Sequence, residues 1–269
     1  MPTTSASIER TELLQELLDS DVAYFHAAAK CEDLSGYRIS RMPGLESLPA
    51  ACVAHPIPGY TGTAGTGWLG LLEKRLSETG CGHARIYQQV PDDSLAKHFL
   101  QNGCRAAEEI ALLSPHEGQE HGETDTSGVR LRPVNSDADW SLKISVHRDI
   151  PQGPDGHASQ AEKWVQMERL KCEAGYMEPF LIMAGQHTCG AVNFAPGFRI
   201  GRLKNIVISP GWRRKGVGER AASLIIMMAR GRGFEVAGCF AMKSGRALNM
   251  YRKAGYFPAA QQTEWFKKL

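Results

Sequence analysis

Residues 206–231 constrain this chain more than any other stretch, because they read as a short strand, a basic glycine turn and an apolar helix in direct succession. Ile206, Val207 and Ile208 are β-branched and suit a pleated, half-buried strand, which Pro210-Gly211 ends. Residues 221–229 are helix formers, with Gly231 placed to cap them. The turn between, Arg213-Arg214-Lys215-Gly216-Val217-Gly218, therefore sits at a helix N-terminus. The first turn of a helix leaves backbone N–H groups unpaired and carries about half a positive charge, so it suits an anion. Gly216 and Gly218 remove side chains where a phosphate approaches, and the three cations flank it, so a phosphate or pyrophosphate is the expected ligand. The order of residues is neither the dinucleotide fingerprint Gly-x-Gly-x-x-Gly nor a P-loop.

A second stretch lies further on. In residues 244–256, Ala247, Met250, Tyr251 and Ala254 fall on one helical face, while Arg246, Asn249, Arg252 and Lys253 make the wet face. Ser244 is an N-cap candidate and Gly255 a C-cap candidate.

Together the two stretches resemble the GNAT superfamily of acyl-CoA-dependent N-acetyltransferases. Arg213-x-x-Gly216-x-Gly218, after Ile208-x-Pro210, is similar to that family's coenzyme A loop. Ala247, Tyr251, Lys253 and Gly255 match its last motif, with Met250 and Tyr256 as conservative changes and Ser244 in place of the usual asparagine. The resemblance covers about residues 129–269 and implies an α/β GNAT fold, a mixed sheet flanked by helices. It also implies acetyl-CoA or another acyl-CoA as cosubstrate. The pyrophosphate would lie on Arg213, Arg214, Lys215, Gly216, Val217 and Gly218, the pantetheine beside Ile206, Val207 and Ile208, and Ser244 would be near the same arm. The acceptor would be an amine, on a small molecule or a protein, attacking the thioester directly. Tyr251 matches the residue that protonates the departing thiolate, and a core tyrosine is the alternative for it.

No general base is assigned. Lys204 and Asn205 stand where many relatives have a glutamate, which leaves a water chain, Glu168 or Glu173 as candidates, besides Asp149, Asp155 and His157 in a neighbouring loop. Two other readings stay open: a non-catalytic acyl-CoA-binding or scaffold protein, and a tandem arrangement like that of mycothiol synthase.

At 269 residues the chain is long enough for two domains. Its net charge of +2 gives no bulk field for nucleic acid or an acidic membrane. Seven scattered cysteines, with no Cys-x-x-Cys, suit a reduced cytoplasmic protein without a metal site. The first residues resemble no signal peptide, and no apolar run reaches the ~18 residues a membrane span needs.

The division expected is a first domain over residues 1–113, a linker over 114–128 rich in acids and glycine, and a catalytic domain over 129–269. In the first domain, residues 7–18 and 22–29 read as two helices, 37–40 and 51–54 as strands, 68–79 as a helix and 84–87 as a strand. Placing Phe99 on Tyr251 also aligns Leu95 with Ala247 and Gly103 with Gly255. One residue's further shift puts Gly62, Gly65 and Gly67 on Arg213, Gly216 and Gly218. The first half thus reads as a degenerate copy of the second, lacking the tyrosine and the loop's cations. In the second half, the pattern gives strand, two helices, three strands, then the helices and strands of the two motifs, with a closing strand over 263–268.

Overall fold

The computed structural model describes residues 5–57, 67–89, 91–115, 128–150 and 157–269. The first half runs α1 (Ser5–His26), β1 (Lys30–Leu34), β2 (Tyr37–Arg41), β3 (Cys52–Pro56), α2 (Trp68–Glu78), β4 (His83–Gln88), α3 (Asp93–Gln101) and β5 (Arg105–Pro115). The second runs β6 (Val129–Pro133), α4 (Asp137–Arg148), α5 (Ala161–Glu173), β7 (Glu178–Ala184), β8 (His187–Pro196), β9 (Ile200–Ile208), α6 (Val217–Gly231), β10 (Val236–Met242), α7 (Ala247–Ala254) and β11 (Phe257–Lys268). From β1 to β5 the order of strands and helices repeats that from β7 to β11. Phe99 on α3 and Tyr251 on α7 are both buried, and Gly103 and Gly255 both turn the chain out of those helices at positive φ, 81° and 102°. The duplicated architecture expected from the sequence is present.

All eleven strands form one sheet, in the order β1-β2-β3-β4-β11-β5-β10-β9-β8-β7-β6. The halves exchange their last strands. β11 lies antiparallel between β4 and β5, and β5 lies antiparallel between β11 and β10. Each half therefore completes the other's sheet, which two separately closed domains would not do. Ser114 and Pro115, expected in the linker, belong to β5; the rest of that linker except Gly128 lies outside the described residues.

A chain consisting of residues 128–269 alone loses β4 and β5, and with them both partners of β11 and the antiparallel partner of β10. The edge of β10 and both edges of β11 then present unpaired N–H and C=O groups to water and to other chains. Such a fragment should be recovered as aggregate, whereas a cooperative thermal unfolding transition from soluble fragment would show that the exchanged strand is dispensable.

Three details differ from the sequence reading. α1 is one helix, because Ser20 Oγ bonds back to Leu17 O (2.7 Å) and the Asp21 carboxylate is taken by Arg202 and Lys204, so neither caps a new helix. α6 continues through Gly231, and it is Gly233, at φ 83°, that turns the chain. Cys52 and Cys81 are joined as a disulfide, where only free thiols were expected.

Apolar faces of α6 and α7 pack on the second half's strands, and those of α2 and α3 on the first half's. A third cluster, including Tyr24, Phe25, Tyr87, Met167 and Ala195, joins α1 to both halves. No helix among the described residues is long and apolar enough to cross a membrane.

Candidate active site

The site begins where two parallel strands separate. β9 pairs with β10 only from Ile200 to Arg202, opposite Val236 to Gly238, although both strands run on. A bulge in β9 redirects it: the register with β8 slips between Ala191 and Asn193, and Asn205 sits at φ 53°. A bulge adds a residue and bends its strand, and asparagine tolerates the left-handed region better than most. Asn205 Nδ2 donates to Tyr24 Oη and to Glu168 Oε1, each at 2.9 Å. Glu168 is fully buried, paired with Lys143 (2.8 Å) and accepting from Asn193 (2.8 Å), and Lys143 holds its carboxyl low despite the burial that pushes it up. Glu168, a candidate base in the sequence, is thus a strut beneath the bulge and does not line the cavity. Glu173 lies exposed against Arg169 (3.1 Å). Asp149 is described, while Asp155 and the His157 side chain lie outside the described residues.

In the opening lies an outer groove of about 1000 Å³. Its walls include Ile206, Val207 and Ile208 from β9, Arg213, Arg214, Gly216 and Gly218 from the turn, and Asn249, Met250 and Lys253 from α7. Gly216 is the N-cap of α6 at φ 76°, and no side chain caps that helix. The first-turn N–H groups are therefore left to whatever occupies the groove. Arg213 Nε donates to Ile208 O (2.9 Å), which folds the turn back on the strand. A Cβ on Gly218 would stand 2.6 Å from Met250 Sδ, so this glycine also permits α6 and α7 to approach each other.

Three expected residues stand elsewhere. Val217 is buried in the core beneath the turn. Lys215 Nζ lies over the Trp212 ring, 5.2 Å from its centroid. Ser244 is exposed in the turn before α7 and does not cap it; Arg246 occupies the N-cap position without a side-chain cap bond. Asn249 and Arg246, both placed on the wet face by helical spacing, line the groove instead.

Beyond Ile206, Arg246 and Ala247, which border both spaces, lies an inner cavity of about 340 Å³. Tyr251 and Lys204 of the second half line it together with Tyr24, Phe25, Arg85, Tyr87 and Glu109 of the first. The Tyr251 ring is buried edge-on against Tyr256, and burial, with the neighbouring Cys239, holds its phenol well above the usual range. It stays protonated throughout the neutral range. Lys204 Nζ donates to Asp21 (2.9 Å), and burial, with the charge of Arg202, presses it down to about 8. Burial raises the Glu109 carboxyl, and the charges of Asp21 and Glu264 raise it further. Glu109 carries the signal that sequence reading missed, since nothing in β5 marks that strand as crossing to the other half.

Residues 146–256 match the Acetyltransferase (GNAT) family. That match lies within the second half, from the end of α4 through α7. Solved structures share the whole architecture at low identity. A functionally unknown conserved protein from Staphylococcus epidermidis is 14% identical with a TM-score of 0.69, covering 92% of this chain and 96% of that one. A GCN5-related N-acetyltransferase from Kribbella flavida is 15% identical with a TM-score of 0.64, covering 99% and 96%. A tandem GNAT protein from the clavulanic acid biosynthesis pathway is 10% identical with a TM-score of 0.56, covering 94% and 87%. These likenesses are of fold, and they span both halves. No curated protein matches the chain.

Proposed function

We propose that this protein transfers an acetyl group from acetyl-CoA to an amine, at one site per chain. The observation that carries the reading is the outer groove, where an uncapped helix N-terminus, Arg213, Arg214 and the separated edge of β9 converge. The pyrophosphate is accepted by the turn at 213–218 and its helix N-terminus. The N–H and C=O groups of β9 that β10 leaves unpaired suit the amide-bearing arm, much as an extended peptide adds to a sheet edge. Acetyl-CoA supplies the activated thioester, and the chain's own residues hold it and manage protons. Tyr251, at the far side of the shared border, is the donor to the departing sulfur. With a thiol near pKa ~8.5 and a phenol above ~10, full proton transfer is uphill, so the phenol acts first as a hydrogen-bond donor to the developing thiolate.

Lys215, Val217 and Ser244 drop to supporting places, while Arg246 and Asn249 join the groove. Support for an enzyme over a scaffold comes from Tyr251, a core residue by its ring, also lining a cavity. The test is release of free thiol from acetyl-CoA by the full chain over a panel of primary amines. Amine-dependent release with a matching acetylated product is expected; none with any amine, despite acetyl-CoA binding, would favour the non-catalytic reading.

A further inference from the structure

We propose that the acceptor is a primary amine on an apolar body, seated in the inner cavity with its ammonium on Glu109, which also takes its proton. The inference rests on the acyl-transfer reading above. It adds the acceptor's chemistry and places the general base on the first half, on the exchanged strand β5.

Glu109 is the only carboxylate among the described residues lining that cavity. Three of the four cations that line the cavity with it are already matched. Arg85 pairs with Glu264 (2.6 Å), and Arg202 and Lys204 share Asp21. Glu109 itself accepts one hydrogen bond, from Gln262 Nε2 (2.8 Å), and has no cation within ion-pair distance among the described residues. A half-buried carboxylate without a cation is costly, and an incoming ammonium is the charge that relieves it. Tyr24, Phe25, Tyr87, Trp164 and Phe240 surround the remaining space, so the body that carries the amine meets rings more than water. The cavity and the groove share Ile206, Arg246 and Ala247 as walls, so an amine bound in the first lies next to the space that would hold the thioester.

Protons balance as follows. An ammonium gives one proton to Glu109, and its freed lone pair forms the bond to the acyl carbon. The carbon–sulfur bond breaks, and the sulfur leaves with a proton donated by Tyr251. The nitrogen's second surplus proton returns to Tyr251 through water, and Glu109 releases the first to solvent. One amide, one thiol and one proton result. The raised Glu109 carboxyl makes it a better base than an ordinary carboxylate.

The test uses the full chain, phenethylamine as the probe and phenethyl alcohol as its uncharged counterpart. Calorimetry on the wild type should show the amine binding roughly 10- to 100-fold more tightly than the alcohol, the range for a charged hydrogen bond. E109Q keeps a group able to accept from Gln262, so it should fold and bind acetyl-CoA as the wild type does. It should erase the amine's advantage and lower amine-dependent thiol release roughly 10²- to 10⁴-fold. No preference for the amine in the wild type, or an E109Q protein that binds and acetylates the amine as well as the wild type, overturns the proposal. In the second case the acyl-transfer reading survives. A wild type that does not bind acetyl-CoA at all removes that reading, and the base role of Glu109 with it.

Discussion

Tyr251→Phe should leave acetyl-CoA affinity unchanged and lower turnover roughly 10²- to 10⁴-fold, the usual cost of losing a positioned proton donor. The change removes one oxygen and keeps the ring that packs on Tyr256 in the core around α6 and α7. No hydrogen bond to another described side chain is lost with it, so the folded state should survive. The effect belongs in kcat, because the donor is needed only as charge develops on sulfur. Unchanged turnover with any amine found active would return Tyr251 to the role of a buried core tyrosine.

Gly218→Glu has an effect of similar size on binding. The new Cβ meets Met250 Sδ at 2.6 Å, and the carboxylate enters the groove beside Arg213 and Arg214. It would compete for those cations and oppose a pyrophosphate by like charge. Loss of acetyl-CoA affinity of roughly 100-fold or more is expected. Gly218→Ala separates the two causes. Its methyl crowds the flexible Met250 side chain and only touches Ile208 Cγ1, at 3.4 Å, so a modest loss for Ala and a large one for Glu would locate the effect in charge. Equal losses would locate it in the packing of α6 against α7.

Local chemistry was legible in the sequence, and long-range pairing was not. The turn at 213–218, the helix carrying Tyr251 and the αL glycine after it were all fixed by residues adjacent in the chain. Gly231 and Ser244 were misplaced as caps because a helix end shifts by a residue or two at little local cost. The strand exchange left no local mark. β5 reads Arg105-Ala106-Ala107-Glu108-Glu109 at its start, which suggests an exposed segment, yet it lies at the centre of the sheet, and Glu109 reaches the cavity from there. For the same reason Glu168 looked free to act as a base: its partners Lys143, Asn193 and Asn205 come from three other elements. The equivalence of the first half's glycine loop to the turn at 213–218 rests on residues 62–67, of which only Gly67 lies among the described residues.

The most direct test is a calorimetric titration of acetyl-CoA into the full chain. One site per chain is expected, on the second half, because only that half's turn carries cations at the helix N-terminus. Two equivalent sites, or none, would contradict it.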